Sequence, residues 1–394
     1  MTRVLLAWEA GAGRGHVVTL ARVARALQGM APCDAALGWM DHAGEIAPWC
    51  EGVFPGVSLP YQRQARKERG APPNATWADY LADCRMADGS RLRSNVAWWL
   101  DTYARRQTGL VVADYAPCAL LAARIAGIPA LAIGTGYGIP PADLREFPVF
   151  LPDHAEREAD EGQMVAVVNE ALGPLGLPPL DALPEIYTRS GDIVRTLPML
   201  DPYAAWRSDD AYMPPVADFA GLRSVQADMA FCYFSTTELQ NEGLVEALCA
   251  CGLPLRGYLP GASDEVRARL AASGMHVESG PVPVAEIART SRLILNSGQH
   301  GILCLSLGAG IPQVCIPQHL EQLYHARRAQ DAGVARVVWP QTASASEILA
   351  AIGQAWRDTA MAELALERGR ELAPRFTLDD RDTLRAKLAP RLSA

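Results

Sequence analysis

The feature that most constrains this chain is a recurring unit: a short apolar run, a turn of small residues, then a segment with apolar residues three and four apart. It first appears as Arg3 to Trp8 (RVLLAW), the turn GAGRGH, and His16 to Leu27 with Val17, Leu20, Val23, Ala24 and Leu27 on one face. It returns as a strand Leu110 to Ala113, a helix Pro117 to Ala126, a stop at Gly127 and a strand Pro129 to Ile133. Strands alternating with helices imply a parallel sheet covered on both faces. Between these units lie an apolar run Ala35 to Met40, a Pro/Gly-rich stretch from Asp41 to Asn74 that reads as insertion loops, and a helix over Arg91 to Arg106. Proline is frequent from Gly173 to Pro215, which rules out long regular elements there and places a domain boundary near residues 215 to 225.

Beyond the boundary the alternation restarts. Strands are expected at Met229 to Phe234, Pro254 to Tyr258, Met275 to Glu278, Leu293 to Leu295 and Gln313 to Ile316, with helices at Gln240 to Cys251, Asp264 to Ser273 and Ile302 to Leu307. The segment from Ser346 onward is helical in pattern, interrupted by Pro374 and Pro390. A length of 394 residues suits two domains. The expected fold class is α/β with two Rossmann-like domains, residues 1–215 and 216–375, and a terminal helix at 376–394 that packs back on the first.

Charge narrows the function. A net charge of −8 without a basic block argues against nucleic acid and anionic lipid as partners. No segment approaches the ~20 apolar residues of a membrane span, and the opening residues lack the apolar core and cleavage region of a signal peptide. The nine cysteines are dispersed, apart from Cys249 and Cys251, with no CxxC pair and no histidine at metal-ligand spacing. They read as reduced thiols in a cytoplasmic protein that needs no metal or cofactor, and Cys304 and Cys315 as core residues.

Two constellations carry chemistry. The turn GAGRGH lies at the carboxyl edge of the first sheet, where open α/β sheets place ligands. A dinucleotide fingerprint, with Asp41 as the ribose acid, fails on spacing: glycines at 11, 13 and 15 leave bulky His16 at the third glycine position. Asp114 ends a strand at the same sheet edge. A histidine that deprotonates a substrate hydroxyl works better when a carboxylate holds its other ring nitrogen, a task that suits His16 with Asp114. Residue types alone leave both free to be simple helix caps. Gly13, Arg14, Tyr137 and Trp98 are candidate acceptor contacts, although Trp98, Trp99, Leu100 and Tyr103 also suit a helix packed in a core. The run RQARKERG at 63–70 reads as a solvated loop. The second constellation is the loop Asn296 to Gly301 between a strand and a helix start, whose backbone N–H groups suit a diphosphate, with Ser297 and His300 adding side-chain donors.

In order and spacing the whole chain resembles a GT-B glycosyltransferase of the family 1 type. GAGRGHVVTLARVARAL is similar to that family's GHxxPxxxLAxxL opening, and VVADYAPCALLAARIAGIPAL to the segment bearing its Asp. NSGQHGILCLSLGAGIPQVCIPQHLEQLYHARRAQDAGVA is similar to its donor signature, a HGGxGT loop followed by GxPxxxxPxxxDQxxNA. The resemblance implies a GT-B fold with a cleft between two domains, inverting transfer from a UDP- or dTDP-sugar to an acceptor the sequence does not identify, His16 as base and Asp114 as its partner. It implies donor contacts at Ser297, Gly298, Gln299, His300 and Gly301, with Glu321 and Gln322 at the pair that binds the sugar hydroxyls and His325 where the family has Asn. Ser297 replaces the family's phosphate-binding histidine, Gln299 its second glycine and Ile302 its threonine. Leu305 stands where many UDP-using relatives carry a ribose-binding Glu, which favours a deoxyribose donor such as a dTDP-sugar. The alternatives are a degenerate GT-B protein that binds nucleotide-sugar without transfer, and a nucleotide-sugar epimerase; a homodimer is left open.

Overall fold

The computed structural model describes residues 2–11, 13–61, 74–187, 192–215, 221–377 and 380–392; the run at 63–70 falls outside them. The chain divides into two compact units, one formed by the described residues up to 215 together with 380–392, the other by 221–377.

The first unit is built on a seven-stranded parallel sheet. Its strands are β1 (Arg3–Trp8), β2 (Cys33–Leu37), β3 (Gly52–Pro55), β4 (Thr108–Asp114), β5 (Ala130–Gly134), β6 (Ile193–Arg195) and β7 (Tyr212–Met213), in the order β3-β2-β1-β4-β5-β6-β7. From Val4 on, β1 is buried, because helices cover both faces. Helix α1 (Arg14–Leu27) begins two residues earlier than its apolar stripe suggests, since Gly13, at φ 103°, supplies the turn. It buries Val17, Leu20, Val23 and Leu27, each worth about 1.5–3 kcal/mol when removed from water. The stretch read as insertion loops contains the edge strand β3, whose four residues alternate too weakly to show in the sequence. Helix α2 (Trp77–Asp83) was also not anticipated; Thr76 and Asp79 close a capping box at its start. Helices α3 (Gly89–Arg106), α4 (Pro117–Ala126) and α5 (Glu161–Leu172) complete this unit's main cover.

The second unit repeats the plan with β8 (Met229–Tyr233), β9 (Leu255–Tyr258), β10 (His276–Val277), β11 (Ser291–Asn296), β12 (Gln313–Cys315) and β13 (Ala335–Val337), all parallel, in the order β10-β9-β8-β11-β12-β13. Its helices are α6 (Glu242–Ala250), α7 (Asp264–Ala272), α8 (Val284–Thr290), α9 (His300–Ala309), α10 (Leu320–Asp331), α11 (Ala345–Arg357) and α12 (Thr359–Phe376). Helix α9 starts at His300, so this histidine is the first residue of a helix and not part of the preceding loop. Pro374 and Pro390 lie inside helices, each the third residue from the end, in the last turn, and remove one hydrogen bond without breaking an interior.

Helix α13 (Asp380–Leu392) belongs to the first unit, where it lies on α1. Asp380 pairs with Arg22 at 3.1 Å and with the buried Arg195 at 2.6 Å, while the Arg385 guanidinium donates to the Ala26 carbonyl at 2.9 Å. Removing one partner of such a pair strands a buried charge, which ties the chain terminus to this sheet.

Candidate active site

In both sheets the strand order reverses beside the first strand, between β1 and β4 and between β8 and β11. Such a switch point opens a crevice at the carboxyl ends of the strands. Trp8 pairs with Asp114 at the first, and Tyr233 with Asn296 at the second. Each sequence constellation sits at the switch point of its own sheet.

At the first, His16 Nδ1 lies 3.1 Å from Asp114 Oδ1. The Asp114 side chain is 3% exposed and that of His16 18% exposed, so the carboxylate is shielded while the ring reaches the surface. With Nδ1–H donating to Asp114, the basic lone pair falls on Nε2. The ring is held by stacking on Trp8, centroids 5.1 Å apart, and by Tyr115 at 4.9 Å. Gly11 explains the glycine turn: a Cβ there would lie 2.6 Å from His16 Nε2, and its φ of +81° suits glycine. The glycine makes room for a histidine ring, a different job from admitting a pyrophosphate. Tyr115, directly after Asp114, holds a left-handed φ of 46°, and its carbonyl accepts from Ala10 N at 3.0 Å. Gly138 leaves space for the Tyr115 ring, since a Cβ there would come within 2.0 Å of it.

The acceptor candidates scatter. Gly13 caps α1 without a side-chain bond, and Arg14 is half in solvent, paired with Glu45 at 2.5 Å. Tyr137 is buried between Trp77 and Phe150, and Trp77 also meets Tyr115 edge-on at 5.2 Å. That chain of rings links Tyr137 to the His16 surroundings. Trp98 is half-buried on α3 with its neighbour Trp99 edge-on to it; Trp99 donates its indole N–H to Glu9.

Glu9 is a residue the sequence reading passed over. Fully buried after β1, it accepts from Trp99, from Cys118 N at 2.9 Å and from Ala119 N at 3.0 Å, capping the start of α4. Burial pushes its carboxyl up to about 8 despite these donors. The signal available was an acidic residue directly after the apolar run Val4 to Trp8.

At the second switch point Glu238 plays the corresponding part, and it too was missed. Buried after β8, it accepts from Ser297 Oγ at 2.8 Å, from Gln299 Nε2 at 2.7 Å and from Thr236 N at 2.7 Å. The hydroxyl of Ser297 is therefore committed inward. Asn296 Oδ1 accepts from Gly298 N at 2.6 Å while its Nδ2 donates to Gln313 Oε1. Gly298, at φ +83°, is required, because a Cβ would lie 2.5 Å from the Gln322 carbonyl. The Gln322 side chain turns back to accept from Gln318 N at 2.8 Å, and Glu321 is half-buried in the first turn of α10. Helix α9 begins without a side-chain cap, its first residues being half-buried His300 and exposed Gly301. The uncapped start presents outward-pointing amides and a positive dipole end. The His300 ring lies 5.4 Å from that of His325, whose own pKa is held well below the usual histidine range by burial and then by His300. Ile302 and Leu305 face an apolar cluster with Phe231, Ile287 and Ile294, against which Tyr233 and Tyr258 pack. Among the described residues no group of three or more His, Cys, Asp or Glu side chains has the arrangement of a metal site, and no helix is long and apolar enough to cross a membrane.

No family model matches the sequence, and no curated protein matches it. Solved structures do match over nearly the full length. The kitacinnamycin glycotransferase is 17% identical with a TM-score of 0.65, covering 99% of this chain and 98% of its own. Spinosyn rhamnosyltransferase SpnG complexed with thymidine diphosphate is 16% identical with a TM-score of 0.65, covering 100% of both chains. The Streptomyces sp. SF2575 glycosyltransferase SsfS6, also complexed with thymidine diphosphate, is 20% identical with a TM-score of 0.63, covering 98% of this chain and 99% of its own. At these identities the likeness is one of fold, and the fold is GT-B.

Proposed function

We propose that the chain is an inverting glycosyltransferase that moves a sugar from a nucleoside-diphosphate donor to an acceptor hydroxyl. The observation that carries the reading is the contact of 3.1 Å between His16 and Asp114, 98 residues apart in sequence and joined at the switch point of the first sheet. His16 Nε2 takes the acceptor proton as the oxygen attacks the anomeric carbon, and Asp114 stabilises the imidazolium that forms. The leaving diphosphate is met by the α9 amides at residues 300–302 and by His300, where charge develops. Gly298 and the Glu238 bonds hold that loop in shape. Glu321 and Gln322, at the head of α10, are assigned to the donor sugar, and Tyr137 to the acceptor side.

The donor is assigned as a dTDP-sugar. Leu305 is enclosed in apolar contacts, so no carboxylate waits there for a ribose 2′-hydroxyl, and two of the similar structures hold thymidine diphosphate. One observation favours a second reading, a binder without turnover: Ser297 and Gln299 both spend their side-chain donors on Glu238.

Calorimetric titration with dTDP and UDP, followed by turnover assays on His16→Ala and Asp114→Asn, tests the reading. The expected result is tighter binding of dTDP, with turnover falling about 10²–10⁴-fold in both variants while nucleotide affinity is unchanged. Binding without turnover across an acceptor panel supports the second reading. Unimpaired turnover in His16→Ala removes the proposed base, and tighter binding of UDP removes the donor assignment.

A further inference from the structure

We propose that Cys33 and Cys50 form a disulfide-forming site that is oxidised by a low-molecular-weight disulfide of the glutathione type. Their Sγ atoms lie 3.7 Å apart. The start of β3 brings the two close: Asp34 stands opposite Gly52, Glu51 N donates to the Cys33 carbonyl at 2.8 Å, and Cys50 is the residue before Glu51, in a turn whose Trp49 carbonyl accepts from Cys33 Sγ at 3.2 Å. Closing to a bond of ~2.05 Å needs a shift of the Cys50 side chain, which lies in the turn leading into β3. The residues between the cysteines, mostly turns and one-turn helices after β2, allow it.

The two sulfurs differ in access. Cys50 is half-buried and Cys33 is 2% exposed. Cys50, the reachable thiol, passes its proton to Cys33, whose pKa is lowered by their hydrogen bond, as it attacks one sulfur of the oxidant, giving a mixed disulfide and releasing one thiolate, which takes the proton from Cys33. The Cys33 thiolate then attacks the Cys50 sulfur and displaces the second. Two protein thiols are oxidised, the small disulfide is reduced to two thiols, and the two protons lost by the cysteines end on those products. Cys84, Cys118, Cys232, Cys304 and Cys315 are buried, which leaves Cys249 and Cys251 as the competing reachable thiols.

The bond would close the loop that carries Trp39 and Glu45. Trp39 packs on Trp8 at 5.0 Å, Trp8 stacks on His16, and Glu45 holds Arg14 at the start of α1. The crosslink thus tethers a segment bordering the His16 site, whatever reaction that site performs.

The test incubates the native full-length protein with oxidised glutathione and, separately, with dithiothreitol, then cleaves it after glutamate. Cutting at Glu45 puts the two cysteines on different peptides. The expected product is a linked pair, two hydrogens lighter than the separate peptides, that separates on reduction, together with a rise of several degrees in the unfolding temperature of the uncleaved oxidised protein. Cys50→Ser, at a half-exposed position, should show neither change. The inference is overturned if Cys50 stops at the glutathione adduct, if the loss of two hydrogens maps to Cys249 and Cys251, or if both samples give identical peptides.

Discussion

Replacing Glu9 with Gln probes the buried carboxyl that follows β1, and its burial sets the sign of the effect. Burial raises the Glu9 pKa from 4.5 in the free chain to about 8. Between those values the native state holds a proton that the unfolded state has lost, so stability is greatest below the lower value and falls as pH rises through the upper one. The slope is ~1.4 kcal/mol per pH unit, which makes the loss between pH 6 and pH 8 on the order of 2–3 kcal/mol. In Glu9→Gln the amide oxygen still accepts from Trp99 and Ala119, but the amide nitrogen faces Cys118 N and leaves that donor unsatisfied, at a constant cost of ~1–3 kcal/mol. The variant should therefore be less stable than wild type at pH 6 and close the gap by about 2–3 kcal/mol at pH 8. Chemical denaturation followed by tryptophan fluorescence reports mainly on the relevant unit, since all tryptophans except Trp339 and Trp356 lie there. A gap of the same size at both pH values would show that Glu9 is ionised throughout, held so by its three donors and the start of α4.

Other substitutions test other links. Gly11→Ala forces a Cβ to within 2.6 Å of His16 Nε2; if His16 is the base proposed above, turnover should fall at least ~10-fold with little change in nucleotide affinity, because misplacing a reacting group costs more than the strain itself. Gly298→Ala, whose Cβ meets the Gln322 carbonyl at 2.5 Å, should reverse that pattern, weakening dTDP binding by calorimetry while the His16 pair stays intact. Glu238→Gln removes a charged acceptor from Ser297, Gln299 and Thr236; a loss of ~10-fold in nucleotide affinity is expected, and unchanged affinity would show that the loop keeps its shape without it. Asp380→Ala strands Arg195, which is 1% exposed, and should destabilise the first unit by roughly 3–5 kcal/mol, seen as a lower midpoint in denaturant.

Much of the architecture was legible because apolar periodicity is set by burial, and burial repeats. The largely buried strands Arg3–Trp8 and Met229–Tyr233 and the helix Pro117–Ala126 could be read almost to the residue. The edge strand Gly52–Pro55 and the capped helix Trp77–Asp83 could not, because a short, half-covered strand and a seven-residue helix carry too few residues to show a period. The pairing of His16 with Asp114 was suggested by chemistry, but on residue types alone simple capping roles were the better reading; in the fold the two side chains lie 3.1 Å apart.

What the sequence determined by itself, then, is local: which segments are strand or helix, which turns need glycine, and which residue types are equipped for proton transfer or phosphate binding. Tertiary structure decided the rest, because a side chain's task depends on neighbours distant along the chain. Ser297 reads as a ligand donor until Glu238, 59 residues away, takes its hydroxyl. Gly11 reads as a turn glycine that lets backbone approach a ligand until the His16 ring is found in the space a methyl group would fill. Glu9 and Glu238 read as ordinary acids until each is buried at a switch point with backbone and side-chain donors from other segments. Spacing along a chain carries periodicity, but a buried polar group must find its partner in space, and only the packing of the sheets says which partner that is.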